Sequence, residues 1–145
     1  MNQNKPQSHY NYIQSSPQEC GASAVSYILS LYGIEKTTLH IYEKFFDTND
    51  VTRASYIINA LDFYNIKAVA CEINFNFLCQ TTLPIIAYWK DNHMVVIQEI
   101  HSSTATIFDP KTGLYTISHS EFKERFSNIG ILVTPIKPLS KSIKN

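Results

Sequence analysis

The residue types best suited to chemistry lie in the segment 14–24, QSSPQECGASA. Cys20 follows Gln14 by six residues and precedes a glycine, small residues and an amphipathic run, VSYILSLY. A thiol at the start of a helix gains thiolate character, because the helix N-terminus carries partial positive charge. The Gln14 amide is suited to donate a hydrogen bond to a developing oxyanion. The alternative interpretation of this segment is a turn, a cap and a small buried residue.

A cysteine nucleophile also needs a histidine as acid and base, and a third group that orients the histidine. Of the five histidines, His93 opens the strand pattern HMVVIQEI directly after the turn KDN. Asp109 ends the next strand pattern, TATIFD, sixteen residues after His93. If the two strands form a hairpin through HSSTA, the end of the second lies beside the start of the first. The sequence therefore predicts a carboxylate within reach of the His93 imidazole.

Each of these residues has an ordinary interpretation when it is taken alone. Asp109, followed by Pro-Lys-Thr-Gly, is typical of a turn. His93 would be a surface residue at a strand end, and Cys20 would be a small buried hydrophobe. The combination of a thiol at a helix start with a paired histidine and carboxylate favours nucleophilic catalysis.

Composition narrows the class of protein. The chain has 145 residues, of which 44% are hydrophobic and 17% charged, as is typical of one globular domain. Twelve Lys and Arg residues balance twelve Asp and Glu residues, so the net charge gives no support for nucleic-acid binding. The sequence contains no run of 18 apolar residues, so no membrane span is predicted. Its polar start, MNQNKPQSHYN, does not resemble a signal peptide.

The three cysteines are Cys20, Cys71 and Cys79. An odd count without a secretion signal indicates reduced thiols in a cytosolic setting. The seven residues between Cys71 and Cys79 do not match the short spacing of a zinc knuckle. We therefore expect both to be buried, inert thiols, and we expect no metal ion and no cofactor.

Apolar periodicity predicts helices first and strands second. Four helices are predicted: the amphipathic run that ends at Gly33, TLHIYEKFF, RASYIINALDFY and SHSEFKERF. In the last of these, Ser118 and Glu121 have the spacing of a capping box. Short runs rich in β-branched and aromatic residues begin near Lys67 and predict strands over KAVACEI, PIIAYW, HMVVIQEI, TATIFD, LYTI and GILVTP. This order predicts an α+β fold, with N-terminal helices packed on a mostly antiparallel sheet.

The start of the first helix bears on the chemistry. Ser16, Pro17 and Glu19 are suited to an early helix cap, from which the backbone N–H of Cys20 would bond to the Ser16 carbonyl. An oxyanion donor needs that N–H free, so we expect the helix to begin later, near Glu19 or Cys20.

From roughly Ser8 to Pro135, the chain resembles peptidase domains of the bacteriocin-processing, double-glycine cysteine peptidase family. The resemblance is carried by QSSPQECGASAVSYILSLYGI, LDFYNIKA, LPIIAYWKDNHMVVI and IFDPKTGLYTIS. It implies a papain-like fold with Cys20 as nucleophile, His93 as acid and base, Asp109 as the orienting residue and Gln14 as an oxyanion-hole donor.

Two positions next to the cysteine depart from the family pattern. The family usually has Asp before the cysteine and often Pro after the glycine, whereas this chain has Glu19 and Ala22. Neither change removes a catalytic group, so the resemblance implies an active enzyme.

The resemblance also implies a substrate and partners. The substrates would be precursors of the bacteriocin or pheromone type, whose N-terminal leader ends in Gly-Gly and is cut after the second glycine. The partners would be the membrane and nucleotide-binding domains of an ABC transporter in the same chain. Tyr88 and Trp89 are suited to wall a cleft that admits glycine and rejects any Cβ, although core packing is the alternative for Tyr88.

Two other function classes stay open. The domain could hold a leader or cargo without turnover, or it could be another papain-like enzyme that performs acyl-transfer or amidase chemistry.

We divide the chain into a peptidase domain at 1–136 and a basic tail or linker at 137–145. No acidic residue follows Glu124, and the tail carries three lysines. Positive charge near a first membrane span marks its cytoplasmic side. We therefore expect a transporter domain on the cytoplasmic side of the cell membrane, with a free-standing cytoplasmic enzyme as the alternative.

Overall fold

The computed structural model describes residues 19–46 and 54–135. Within these ranges the helices are α1 (Cys20–Leu31), α2 (Thr38–Phe45), α3 (Ala54–Phe63), α4 (Phe75–Leu78) and α5 (His119–Arg125). The strands are β1 (Ile66–Glu72), β2 (Ile85–Trp89), β3 (Met94–Ile100), β4 (Thr104–Asp109), β5 (Gly113–Ser118) and β6 (Phe126–Pro135).

The described strands form one six-stranded sheet in the order β1-β6-β2-β3-β4-β5. Every neighbouring pair is antiparallel. Strands β2 to β5 follow one another as hairpins, and β6 returns to lie between β1 and β2. Helices α1, α2 and α3 precede this sheet in the chain, so the predicted α+β order is confirmed.

Each face of the sheet has its own apolar cluster, because successive side chains on a strand point to opposite faces. Helices α1 to α3 cover the first face, where Ile28 packs in one cluster with Val96 and Phe108. Helices α4 and α5 supply Leu78 and Phe122 to the cluster on the second face. The inner strands of the sheet, such as β2, are thus covered on both faces, whereas the edge strands β1 and β5 expose part of their residues. The ends of the inner strands are the places where a cleft can open.

Local sequence signals explain several helix boundaries. Gly33 follows α1 with a φ of +84°, a left-handed conformation that glycine adopts at little cost. The Thr37 hydroxyl caps α2 by accepting a hydrogen bond from the His40 N–H at 3.1 Å. The Ser118 hydroxyl accepts one from the Glu121 N–H at 3.1 Å, so the predicted cap of α5 is present.

The structure corrects three expectations. Helix α4 was not predicted, since one turn is too short for a periodic signal; the Asn74 side chain caps it by accepting from the Phe77 N–H at 2.8 Å. Strand β6 begins at Phe126, next to the end of α5, rather than at Gly130. The prediction of a buried Cys79 is wrong, because Cys79 follows α4 as its C-cap and is exposed.

Gly130 marks the tightest approach between strands. A Cβ at this position would lie 2.5 Å from the Ile86 carbonyl oxygen and 3.0 Å from Ile73 Cδ1. Because Gly130 pairs with both β1 and β2, neither neighbouring strand can move away without loss of its own ladder bonds.

We predict that Gly130→Ala lowers the free energy of unfolding by about 1–3 kcal/mol, the usual cost of overpacking. Urea denaturation measures the effect. Gly33→Asn is the matched control, since nothing lies within 4 Å of that position and Asn tolerates its positive φ. Equal stability of the two variants would contradict the close packing at Gly130.

Candidate active site

The β3–β4 hairpin brings His93 and Asp109 together. Val96 pairs with Phe108, so the end of β4 lies beside the start of β3. His93 Nε2 lies 2.8 Å from Asp109 Oδ1 and 2.8 Å from Oδ2. The predicted contact between this imidazole and this carboxylate is therefore present.

Asp109 is held by the turn that follows it. The Lys111 N–H donates a hydrogen bond to Asp109 Oδ1 at 2.8 Å, and the Thr112 N–H donates one to the Asp109 carbonyl at 3.1 Å. Asp109 therefore both forms a turn and orients His93. Sequence reasoning missed the role of the Lys111 N–H, although an Asp two residues before a backbone donor is a known turn signal.

The electrostatic surroundings keep Asp109 ionised. The residue is only 7% exposed, and burial by itself would raise the pKa of its carboxyl. The hydrogen bonds from His93 and the Lys111 N–H outweigh burial and lower that pKa below its ordinary value. The carboxylate is thus present as an anion beside the imidazole throughout the neutral range.

The same pair favours the protonated form of His93. The hydrogen bond to Asp109 raises the pKa of His93 above its ordinary value of 6.5, against the opposing effect of burial. The backbone N–H of His93 donates to Asp91 Oδ1 at 3.1 Å, which anchors the loop before β3. Because Nε2 faces Asp109, Nδ1 is the ring nitrogen that can exchange a proton with a thiol.

Cys20 is the first residue of α1, and Glu19 is the N-cap. The predicted late helix start is therefore confirmed. The half-buried Cys20 packs against the first-face cluster, as does Tyr88. Burial raises the pKa of Tyr88, and an electrostatic interaction with Cys20 raises it further. Tyr88 pairs with Met94, the residue after His93.

Cys20 and the His93–Asp109 pair thus lie at the same end of the sheet. The structure joins two of the four predicted site residues by hydrogen bonds and brings a third to their end of the sheet. The fourth, Gln14, lies outside the described residues.

A pocket of about 330 Å³ flanks the His93–Asp109 pair. Its lining residues are Trp89, Lys90, Asp91, His93, Asp109 and Arg125. Trp89 is 4% exposed, belongs to the second-face cluster and packs edge-on against Phe122 with ring centroids 5.2 Å apart.

Trp89 and Tyr88 do not form one wall, contrary to the expectation from their adjacency. Successive side chains on β2 point to opposite faces of the sheet, so Tyr88 lies on the Cys20 side and Trp89 on the other. The Trp89 Nε1 and the Tyr115 hydroxyl are both buried, and within the described part of the chain neither makes a hydrogen bond of good geometry, although the two side chains lie near enough to interact. Burial raises the pKa of the Tyr115 hydroxyl, the interaction with the Trp89 side chain opposes this rise, and the Asp109 carboxylate adds to it.

Residues 19–46 and 54–135 contain no group of three or more His, Cys, Asp or Glu side chains arranged to hold a metal ion. Over the same residues, every helix is too short or too polar to cross a bilayer.

Residues 9–137 match the model of the peptidase C39 family. The chain is 25% identical, over 89% of its length, to the lacticin-481/lactococcin-DR transport/processing ATP-binding protein of Lactococcus lactis subsp. lactis. It is 27% identical, over 92% of its length, to the pediocin PA-1 transport/processing ATP-binding protein PedD of Pediococcus acidilactici. It spans only 19% and 20% of these two relatives.

Solved structures resemble the chain over most of its length. A double glycine motif protease from an AMS/PCAT transporter, in complex with the leader peptide, matches with a TM-score of 0.77 and 26% identity, over 85% of this chain and 89% of that one. The peptidase domain of Streptococcus ComA, a bi-functional ABC transporter, matches with a TM-score of 0.73 and 18% identity, over 85% and 96%.

We predict that Asp109→Asn lowers the pKa of His93, because the hydrogen bond to the Asp109 carboxylate is the largest cause of its rise. An NMR titration of the His93 imidazole measures the change. Asp91→Asn is the matched control, since Asp91 raises the same pKa through a smaller, purely electrostatic effect. If the Asp91 variant shifted His93 as far as the Asp109 variant, the assignment of Asp109 as its main partner would be wrong.

Proposed function

Because this chain belongs to the peptidase C39 family, as a cysteine peptidase domain of papain-like α+β fold, we propose that it removes leader peptides from precursor peptides by cutting after a Gly-Gly motif. The observation that carries the proposal is the hydrogen-bonded His93–Asp109 pair at the same end of the sheet as Cys20, the first residue of α1. The match to transport/processing proteins and to a double glycine motif protease supports this choice of substrate.

The proposed reaction divides hydrolysis into two steps. The Cys20 thiolate attacks the carbonyl carbon of the second glycine, and His93 holds the proton that the thiol has lost. His93 then gives this proton to the leaving amine as the C–N bond breaks, which leaves the leader bound to Cys20 as a thioester. Water attacks the thioester with His93 as general base, and the thiol is restored together with the free leader carboxylate.

Three features of the site support this chemistry. The raised pKa of His93 favours an imidazolium, which stabilises a nearby thiolate. The lowered pKa of Asp109 keeps the orienting carboxylate charged through the cycle. The N-terminus of α1 contributes partial positive charge at Cys20.

The tetrahedral intermediate needs hydrogen-bond donors for its oxyanion. The Cys20 backbone N–H, at the first residue of α1, is the proposed first donor, and the Gln14 side-chain amide is the proposed second. One such donor commonly contributes about 3 kcal/mol of transition-state stabilisation.

Tyr88 is the proposed source of glycine selectivity. Its ring is half-buried and lies close to Cys20 on the first face of the sheet. A rigid aromatic wall beside the thiol leaves room for a glycine backbone and excludes a Cβ at the residue that is cut.

We predict that Cys20→Ala abolishes leader cleavage without unfolding the domain, because it removes only the nucleophilic sulfur atom. The substrate is a synthetic precursor whose amphipathic leader ends in Gly-Gly, and mass spectrometry identifies the products. Cys71→Ser and Cys79→Ser are the controls, and we expect both to cleave. Replacing the second glycine of the substrate with alanine should block cleavage by the unmodified enzyme.

Cleavage by the Cys20→Ala variant would overturn the nucleophile assignment. Cleavage of the alanine substrate at the rate of the glycine substrate would overturn the Gly-Gly specificity. Binding of the leader without any cleavage by the unmodified domain would favour a binding module.

We further propose that the domain operates on the cytoplasmic side of a membrane, joined through the segment 137–145 to the membrane and nucleotide-binding domains of an ABC transporter. The relatives' names support a link to transport, and the chain spans about a fifth of their length. The lysines in 137–145 are the charge expected on the cytoplasmic side of a first membrane span.

We predict that the natural gene product fractionates with membranes and that its peptidase domain is exposed to protease in inverted, but not in right-side-out, vesicles. The positive-inside rule is the physical reason for this orientation. Recovery of the peptidase activity in the soluble fraction, from a natural reading frame that ends near 145, would contradict the transporter placement. That result would leave the peptidase assignment intact.

A further inference from the structure

Tyr27 joins the helix that begins with Cys20 to both strands of the hairpin that holds His93 and Asp109. Its side chain is almost fully buried between α1 and the sheet. The ring stacks on that of Phe108 in β4, with centroids 4.0 Å apart and planes 3° from parallel. Its hydroxyl donates a hydrogen bond to Gln98 Oε1 in β3.

Both partners of Tyr27 are tied to the acid–base pair. Phe108 directly precedes Asp109, so a shift of the Phe108 ring moves the backbone that carries the carboxylate. Gln98 lies in the register irregularity of β3 between Ile97 and Glu99, where pairing with β4 slips by one residue. Such an irregularity re-aims a side chain, and here the side chain bonds to the helix above it.

Tyr27 is also linked to Cys20, because both residues lie on helix α1. The two residues are seven apart, which is close to two helical turns, so they lie on one face of α1 about 10 Å apart along its axis. A tilt or rotation of α1 about Tyr27 therefore displaces Cys20 relative to the start of β3.

We propose that Tyr27 is a positioning residue that sets the distance between the Cys20 thiol and the His93 imidazole. This inference rests on the proposed function, in which these two groups exchange a proton. The thiolate is stabilised by the imidazolium through an attraction that falls with distance, so a loosened α1 raises the pKa of the Cys20 thiol. Displacements of about 1 Å can reduce turnover by about a hundredfold.

The test compares Tyr27→Leu with Tyr27→Phe in a Cys71→Ser, Cys79→Ser background, which leaves Cys20 as the only thiol. The rate of alkylation by iodoacetamide across a pH series gives the pKa of Cys20. Steady-state cleavage of the Gly-Gly precursor gives kcat and KM. Thermal unfolding reports stability separately.

We predict that Tyr27→Leu raises the thiol pKa and lowers kcat about 10- to 100-fold, with KM changed less than about twofold. Tyr27→Phe keeps the ring stack and should recover most of kcat. Tyr32→Leu is the matched control, because Tyr32 is a half-buried tyrosine at the opposite end of α1. We expect that control to lose stability without a change in the thiol pKa.

An unchanged alkylation profile in folded Tyr27→Leu would overturn the inference. If Tyr27→Leu does not fold, Tyr27→Met takes its place, because Met fills a similar volume without a ring. A raised pKa of the Cys20 thiol in that variant would support the inference, and an unchanged one would overturn it. Failure of the proposed function can be distinguished from failure of this inference, because the alkylation profile is measured without a substrate. Loss of precursor cleavage in the unmodified enzyme would reject the Gly-Gly substrate and leave the effect of Tyr27 on Cys20 measurable.

Discussion

The hydrogen bond between His93 and Asp109 is the interaction on which the rest of the site depends. Asp109 is almost fully buried, and an ionised carboxylate in such a place is unfavourable unless donors surround it. The imidazole and the Lys111 N–H supply those donors at 2.8 Å. The carboxylate in turn keeps the imidazole oriented and raises its pKa, so each group makes the other's charged state stable. Acid–base chemistry at neutral pH follows from this mutual dependence.

Placing that pair at a sheet end requires that the sheet be rigid. Each face carries its own apolar cluster, and strand β6, which lies between β1 and β2, approaches β2 so closely that only glycine fits at position 130. This contact fixes β6 against β2, and the two apolar clusters hold β3 and β4 in the same sheet, with His93 and Asp109 at one end of their pair. A packed interior in which a single added methyl group costs about 1–3 kcal/mol holds a catalytic geometry better than an open loop would.

Cys20, the proposed nucleophile, comes from a separate structural layer. Helix α1 lies across the first face of the sheet, and its contacts with the β3–β4 hairpin include apolar packing, the stack of Tyr27 on Phe108 and the hydrogen bond from Tyr27 to Gln98. A cysteine peptidase assembled from two layers needs a device that fixes their relative position, because a helix and a sheet share no backbone ladder. Side chains at the interface, such as Tyr27, are suited to that task because they join the two layers.

The sequence by itself determined the order of helices and strands, the late start of α1, the cap of α5 and the pairing of Asp109 with His93. These features are local, or they follow from one hairpin whose arms set the register between residues sixteen apart. The sequence did not predict helix α4 or the exposed position of Cys79, since a single turn leaves no periodic signal. The tertiary structure alone decided that Tyr88 and Trp89 lie on opposite faces, because the pleat separates neighbours that look like one patch in the sequence. It also decided that Tyr27 lies on Phe108, a contact between a helix and a strand that no local pattern encodes.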